Sequence, residues 1–236
     1  MGKALGATPS VSLISPQRSS KLILRDVNNA RCQLWDRVHN TDTCGVIPLS
    51  TFSFDSRSKS AGLEYSSHHP RIIRSALASL PISHQLYTFI DVGCGKGRVL
   101  LLASELPFRR ILGIEFAPSL AEIARQNVQR YRWRRQRCSD VAVLTADATD
   151  YELPLEPAVL YFANPFFPTV MCQVIRNIEQ SVRHSPRDLL ILFVGLQFRR
   201  DSSFGAHPGY ERLCHDRYFD LYRRRPPEAH ECRKAA

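Results

Sequence analysis

The sequence has no run near the ~20 consecutive apolar residues that a membrane-spanning helix needs, and its N-terminus lacks the apolar core of a secretory signal. Gly6 stands where a myristoylation signal starting Met1-Gly2 requires Ser or Thr. No membrane partner is expected, and the chain reads as cytoplasmic. No cysteines form a C-x-x-C pair, and no His, Cys or acidic residues fall at metal-ligand spacing, so no metal is expected. The seven cysteines, an odd number, read as free thiols in a reducing compartment. No internal repeat is visible. Negative charge is also short: 22 acidic residues face 32 Lys and Arg, a net charge of +10. That balance favours an acidic partner, such as nucleic acid or an anionic protein surface, and says little about fold.

What is present fits one soluble α/β domain with an added N-terminal segment: 236 residues, 44% hydrophobic and 23% charged. The informative stretch runs from Thr88 to Glu115, TFIDVGCGKGRVLLLASELPFRRILGIE. An apolar run ending in Asp91 meets three alternate glycines, Gly93, Gly95 and Gly97. A helical apolar segment, Val99 to Ala103, leads to a second apolar run ending in Glu115. The pattern predicts strand, glycine turn, helix, strand. Glycines there let backbone approach a ligand closely, and the following helix N-terminus offers free N–H groups. A carboxylate ending the adjacent strand can accept both hydroxyls of a ribose. The stretch therefore predicts a nucleoside cofactor. Cys94, inside the turn, reads as a small filler.

The glycine spacing separates two kinds of nucleoside site. A dinucleotide fingerprint, G-x-G-x-x-G, counted from Gly93, needs glycine where Arg98 stands. The chain instead reads Asp91-x-Gly93-x-Gly95-x-Gly97 and resembles the first motif of the class I S-adenosylmethionine-dependent methyltransferases, with Glu115 matching their ribose-binding acid. The resemblance implies a doubly wound, mostly parallel seven-stranded sheet with an antiparallel C-terminal hairpin, and S-adenosyl-L-methionine as cofactor. It places Phe116 beside the ribose acid, and Asp147 and Ala148 against the adenine. Asp147 also fits ordinary turn chemistry at a strand end.

Asn164-Pro165-Phe166 follows an apolar run, Ala158 to Phe162, and resembles the Asp/Asn-Pro-Pro-Tyr/Phe motif of amine-directed methyltransferases, with Phe166 in place of the second proline. The resemblance implies that Asn164 and a backbone carbonyl orient the acceptor amine while an aromatic ring of Phe166 or Phe167 stacks on it. A proline-bounded strand end is the plainer reading. Tyr65, ahead of the first motif, matches a loop tyrosine of the lysine-modifying members; it is either a cofactor or target contact or a packing anchor. Together these residues imply nitrogen-directed methylation, with a protein side chain of lysine type as the acceptor. The alternatives are a nucleic-acid base, a small molecule, a dehydrogenase on the same layout, or a non-catalytic nucleic-acid-binding module.

Outside these motifs, residues 1–25 read as a partly disordered arm. Residues 26–69 read as an irregular polar segment, either a lid or an N-terminal wrap. Residues 70–236 form the main domain. His68 and His69 read as surface or helix-start residues. Pro70 opens a helix carrying Ile72, Ile73, Ala76, Leu77 and Leu80, and Pro81 stops it. Ser119 and Glu122 form a capping-box pattern for a helix that buries Leu120, Ile123, Ala124 and Val128. Its end, Arg130 to Arg137, is strongly basic with Tyr131 and Trp133 interleaved, suiting either a solvated helix end or a nucleic-acid patch. Val141 to Thr145 reads as the next strand, Val170 to Val182 as a helix and Asp188 to Leu196 as a buried strand. Two aromatic runs between Tyr210 and Arg224 form the final hairpin.

Overall fold

The computed structural model describes residues 30–47, 65–163, 168–195 and 204–225. Residues 30–39 are helical (α1). Two short strands, β1 (Val46–Ile47) and β2 (Tyr65–Ser66), pair antiparallel beside it in sequence. Then follow α2 (Pro70–Ala78), a 3-10 turn (His84–Leu86), β3 (Thr88–Val92), α3 (Arg98–Ala103), β4 (Arg110–Glu115) and α4 (Pro118–Arg130). The second half comprises β5 (Val141–Thr145), β6 (Ala158–Ala163), α5 (Pro168–His184), β7 (Leu189–Val194), β8 (Tyr210–His215) and β9 (Phe219–Arg224).

Seven of these strands form one sheet in the order β5-β4-β3-β6-β7-β9-β8. Every pair from β5 to β7 is parallel, and β9 runs against both of its neighbours. The seven-stranded sheet and terminal hairpin are as the sequence predicts. The central strands are buried on both faces, which is why β3, β6 and β7 read as nearly unbroken apolar runs. One face packs α2, α3 and α4 through Ile73, Leu77, Leu100, Ala121 and Ala124. The other packs α5 through Val174, Ile178 and Val182.

Local signals set several helix boundaries. His69 caps α2, its Nδ1 accepting from the Arg71 N–H at 3.2 Å, and Pro70 follows at the first helical position. That places His69 at a helix start, as expected. The helix stops at Ala78, before Pro81, because the Ser79 N–H and hydroxyl both turn back onto the Ala76 carbonyl.

Three expectations are corrected. The capping box at Ser119 does not form: Ala117 is the N-cap, Pro118 opens α4, and Glu122 pairs with Arg125 at 3.4 Å instead. The basic run is not a helix end, since α4 stops at Arg130 and fully buried Tyr131 carries the chain into an irregular turn. Residues 26–69 are not uniformly irregular either, because 30–39 form a helix. That helix is hard to read because it turns Trp35 and Asp36 inward and leaves Leu34 and Val38 exposed, an inversion of the usual apolar stripe.

A further correction concerns the thiols. Cys32 and Cys44 are joined by a disulfide with Cα atoms 5.8 Å apart. No local spacing rule reveals a pair twelve residues apart that only the turn after α1 brings together. Cys94, Cys138, Cys172 and Cys214 are free.

Candidate functional site

β3 and β4 are parallel neighbours, with Asp91 beside Gly113 and Val92 beside Ile114, so the glycine turn and Glu115 emerge at the same edge of the sheet. Gly93, Gly95 and Gly97 have φ of 84°, 53° and 83°, all in the left-handed region that glycine adopts without steric cost. The turn is anchored from below: the Gly93 and Cys94 N–H groups both donate to the Ile114 carbonyl at 2.9 Å. Cys94 is a packing residue, filling the space that a side chain at Gly113 would need. Burial pushes its thiol well above the ordinary range.

Glu115 is nearly enclosed, 3% exposed, and turned toward the glycines. Its two oxygens accept from the Gly95 N–H at 2.8 Å and the Ala117 N–H at 2.9 Å. These bonds leave further lone pairs on a group that can accept about four hydrogen bonds. Burial raises its carboxyl to about 7, with the backbone amides of Ala117, Gly95 and Phe116 pulling the other way. Asp91, 1% exposed, has no such help. Burial and then the Glu115 charge hold its carboxyl well above the ordinary range, and its Oδ2 has no hydrogen-bond partner among the described residues. A buried carboxyl oxygen with no partner among the described residues marks a place for a donor from outside them.

The Glu115 shift gives a test with a definite sign. The carboxylate is the stronger acceptor for ribose hydroxyls, so cofactor affinity is expected to strengthen as pH rises through about 7. Between pH 6 and 8 the dissociation constant should fall by about tenfold. In Glu115→Gln it should be weaker and flat with pH; an equally sloped profile in that variant would remove Glu115 from the site. The same shift acts oppositely on the cofactor-free fold. The folded form retains a proton that the unfolded chain releases, so stability declines as pH rises from 4.5 to about 7.

Tyr65 comes to this site across thirty residues of chain. Its ring lies against Gly95, where any Cβ would collide with it, and its hydroxyl donates to the Thr43 carbonyl at 2.6 Å. The expected bare turn is therefore covered at Gly95. Burial holds the Tyr65 phenol far above its ordinary range, so it stays protonated and serves as an aromatic wall, not a base. Phe116, half-buried, follows Glu115. Asp147 accepts from the Thr149 N–H at 2.9 Å and from its hydroxyl at 2.7 Å, the turn chemistry weighed for it above, while Ala148 packs on the α5 face. Both follow β5, which flanks β4, so they sit at the same edge as Glu115. Asn164, Pro165, Phe166 and Phe167 lie outside the described residues. The strand that leads to them is described: β6 is the other neighbour of β3, with Val92 beside Phe162.

Several residues of this site have no local signal in the sequence. Arg98, at the position of the missing third dinucleotide glycine, is 3% exposed. Its Nε donates to the Thr43 hydroxyl at 2.7 Å, its guanidinium stands 3.5 Å from Asp36, and it lies over the Trp35 ring. Lys96 reaches Asp42 at 2.7 Å and the Cys44 carbonyl at 3.0 Å. Asn127 donates to both the Asp42 and Lys96 carbonyls and accepts from the Asp42 N–H. Three polar side chains thus strap residues 36–44 onto the glycine turn. Asn127 alone left a trace: it stands among Leu120 and Ala124 on the buried face of α4 at helical spacing. Arg98 and Asp36 are 62 positions apart and belong to no pattern.

Among the described residues no group of His, Cys, Asp and Glu forms a metal-binding cluster, and no helix is long and apolar enough to cross a membrane.

Comparison with known proteins follows the same lines. Residues 89–184 match the family described as "Methyltransferase domain". A release factor glutamine methyltransferase of Vibrio cholerae serotype O1 is 50% identical over 42 residues, which are 17% of this chain and 15% of that protein's length. A predicted N6-adenine-specific DNA methylase from Listeria monocytogenes shares the fold at a TM-score of 0.50 and 14% identity, over 68% of this chain and 52% of that one. An RNA methyltransferase from Salinibacter ruber, solved with S-adenosyl-L-homocysteine, aligns at a TM-score of 0.45 and 16% identity, over 69% of this chain and 94% of that one.

Proposed function

We propose that this chain, residues 89–184 of which match a methyltransferase domain family, is a class I S-adenosylmethionine-dependent methyltransferase that methylates a nitrogen atom, with a protein side chain of lysine type as its acceptor. The observation that carries this reading is the adjacency of β3 and β6. It brings the end of β6, the strand that precedes Asn164-Pro165-Phe166 in sequence, to the sheet edge from which the glycine turn leaves, where a doubly wound sheet presents its reactive groups.

The residues present fit the cofactor. Gly93, partly exposed, offers bare backbone at the head of the turn, while Tyr65 and Ala124 occupy the space over Gly95 and Gly97. The buried Asp91 Oδ2 is without a partner among the described residues, and Glu115 keeps acceptor capacity beyond the Gly95 and Ala117 N–H groups. Phe116, Asp147 and Ala148 would complete the holding set. Bound S-adenosylmethionine supplies a methyl group already activated by its sulfonium. The chain's task is then to align an acceptor lone pair with that methyl and to keep the acceptor neutral. Asn164 would accept a hydrogen bond from the amine and point its lone pair inward. Tyr65 and Phe166 would line an apolar approach, which disfavours the charged ammonium and lowers its pKa. Tyr65, held protonated, takes no proton, and solvent receives the one released.

Two similarities support nitrogen as the target: one relative is named for glutamine on a release factor and a fold neighbour for the N6 position of adenine. The first also supports a protein acceptor. A nucleic-acid base is the second reading, favoured by the exposed arginines between positions 130 and 137. A dehydrogenase is disfavoured because Arg98, at the third-glycine position, is locked into the strap.

Asn164→Ala should lower turnover by about 100-fold while leaving the cofactor dissociation constant within twofold. Unchanged turnover would remove Asn164 from the reaction. Incubating the protein with cell extract and methyl-labelled cofactor identifies the acceptor: label in protein is expected, and label confined to RNA or DNA would overturn the side-chain assignment.

A further inference from the structure

Five of the eight residues from Arg130 to Arg137 are arginine, and all five are exposed. None is within ion-pair distance of a carboxylate among the described residues. The nearest acids in sequence are engaged elsewhere, Glu122 with Arg125 and Asp140 with Arg110. Glu105, which meets the Tyr131 hydroxyl at 3.3 Å, is bound to Arg74 at 2.6 Å. A run of unpaired guanidinium groups is a feature that folding alone does not require.

The aromatic residues interleaved with them are not scattered. Trp35 and His39 of α1 stack with ring centroids 4.2 Å apart, and Tyr131 continues the stack 5.5 Å from His39. Trp133 meets His39 edge-on at 4.7 Å, and the Arg134 guanidinium lies over the Trp133 ring. Trp35, His39 and Trp133 are half-buried, and their buried ring nitrogens Trp35 Nε1, His39 Nε2 and Trp133 Nε1 have no hydrogen-bond partner among the described residues. A groove lined by Gln33, Arg37, Asn40, Thr41 and Arg130 continues the surface along α1. Of its two acids, Asp36 faces Thr43 and Arg98, and Asp42 faces Lys96. Arg37 and Arg130 line it with no carboxylate in ion-pair distance among the described residues, Arg130 donating to the Gln126 Oε1.

We propose that this face, formed by residues 130–137 against α1, is a docking surface for single-stranded nucleic acid. Guanidinium groups without a carboxylate partner suit the phosphate backbone, and the half-buried rings of Trp133, Trp35 and His39 beside them, with buried Tyr131 beneath, suit the faces of unstacked bases. A duplex keeps its bases stacked and has no use for the rings, and an acidic protein segment would use only the charges. The site lies outside the glycine turn, so docking holds whichever nitrogen is methylated, and it requires no cofactor.

The two tryptophans of the chain, Trp35 and Trp133, both sit in this cluster, so tryptophan emission reports on this face, with Trp35 also touching Arg98 of the strap. The full chain is titrated with a fluorescein-labelled mixed-pyrimidine RNA 12-mer, reading anisotropy for binding and tryptophan emission for stacking. Binding is expected with quenched emission and an affinity that falls steeply with salt. The variant Arg132→Glu/Arg134→Glu/Arg135→Glu should bind about tenfold or more weakly, its log–log salt slope reduced by about 2. Its cofactor affinity should be unchanged, which shows the fold intact. The milder Arg134→Gln/Arg135→Gln serves if the triple variant does not fold and should lose about one unit of slope. Absence of binding at 100 µM RNA, roughly the weak end of non-specific affinity, would overturn the proposal. So would undiminished binding by both variants, or competition by polyglutamate or a 12-base-pair duplex as effective as that of the single strand.

Discussion

Gly95→Val is expected to weaken S-adenosylmethionine binding by about 100-fold or more, roughly 3 kcal/mol, while the sheet remains folded. Gly95 has φ of 53°, where a β-branched side chain is strained by about 1–2 kcal/mol. Its Cβ would also collide with the Tyr65 ring, so the ring and the backbone bonded to its hydroxyl must move. Two causes of lost affinity are then mixed: a displaced cover, and a side chain standing where cofactor meets backbone. A second substitution separates them. In Gly95→Val/Tyr65→Ala the collision is gone, and affinity should remain lost if the cradle itself matters. Recovery to within threefold of Tyr65→Ala alone would show that Gly95 serves only the tyrosine. Calorimetric titration with the cofactor measures both, and near-ultraviolet circular dichroism checks that the domain stays folded.

The second large effect is expected far from the glycines in sequence. Asp36→Ala should destabilise the protein by about 3–5 kcal/mol, the usual result of removing one partner from a buried ion pair. Asp36 is 7% exposed, and its carboxylate accepts from the Thr41 and Thr43 hydroxyls and the Thr43 N–H as well as facing Arg98. Without it, the Arg98 charge stays buried at the start of α3 with only the Thr43 hydroxyl and the His68 carbonyl as acceptors. Urea melts should show the loss of stability, and hydrogen exchange should show residues 36–45 opening first. Asp36→Asn tests the charge separately, since it retains most acceptors; a loss below about 1 kcal/mol there would mean that the hydrogen bonds, not the ion pair, hold the strap.

The contrast between these two sites explains what was legible in the sequence. The glycine turn, the acid at Glu115 and the apolar strands are written locally, in spacings of two to four residues that backbone geometry imposes. The seven-stranded, mostly parallel sheet with its terminal hairpin followed from resemblance and from the run of alternating elements. Nothing local announces that Arg98 meets Asp36, that Tyr65 lies on Gly95 or that Cys32 joins Cys44. Such polar contacts between distant segments obey no period, and the segment supplying them turns Asp36 inward and its Leu34 and Val38 outward. Ser119 misled for a related reason: a capping box is one solution for a helix start, and Pro118 with the Glu115 carboxylate on the Ala117 N–H is another. Tyr131 was read as part of a charged surface, but its ring is wholly enclosed under α1.

The strand order carries a consequence for how the protein is made. β9 is synthesised after β8 yet lies inside it, against β7. A nascent chain on the ribosome therefore holds the wholly apolar edge Leu189–Val194 unpaired until Phe219–Arg224 has emerged, and β8 has no place in the sheet before then. Translation stalled between His215 and Phe219 would leave a nearly finished domain with its stickiest strand uncovered, the state most in need of a chaperone.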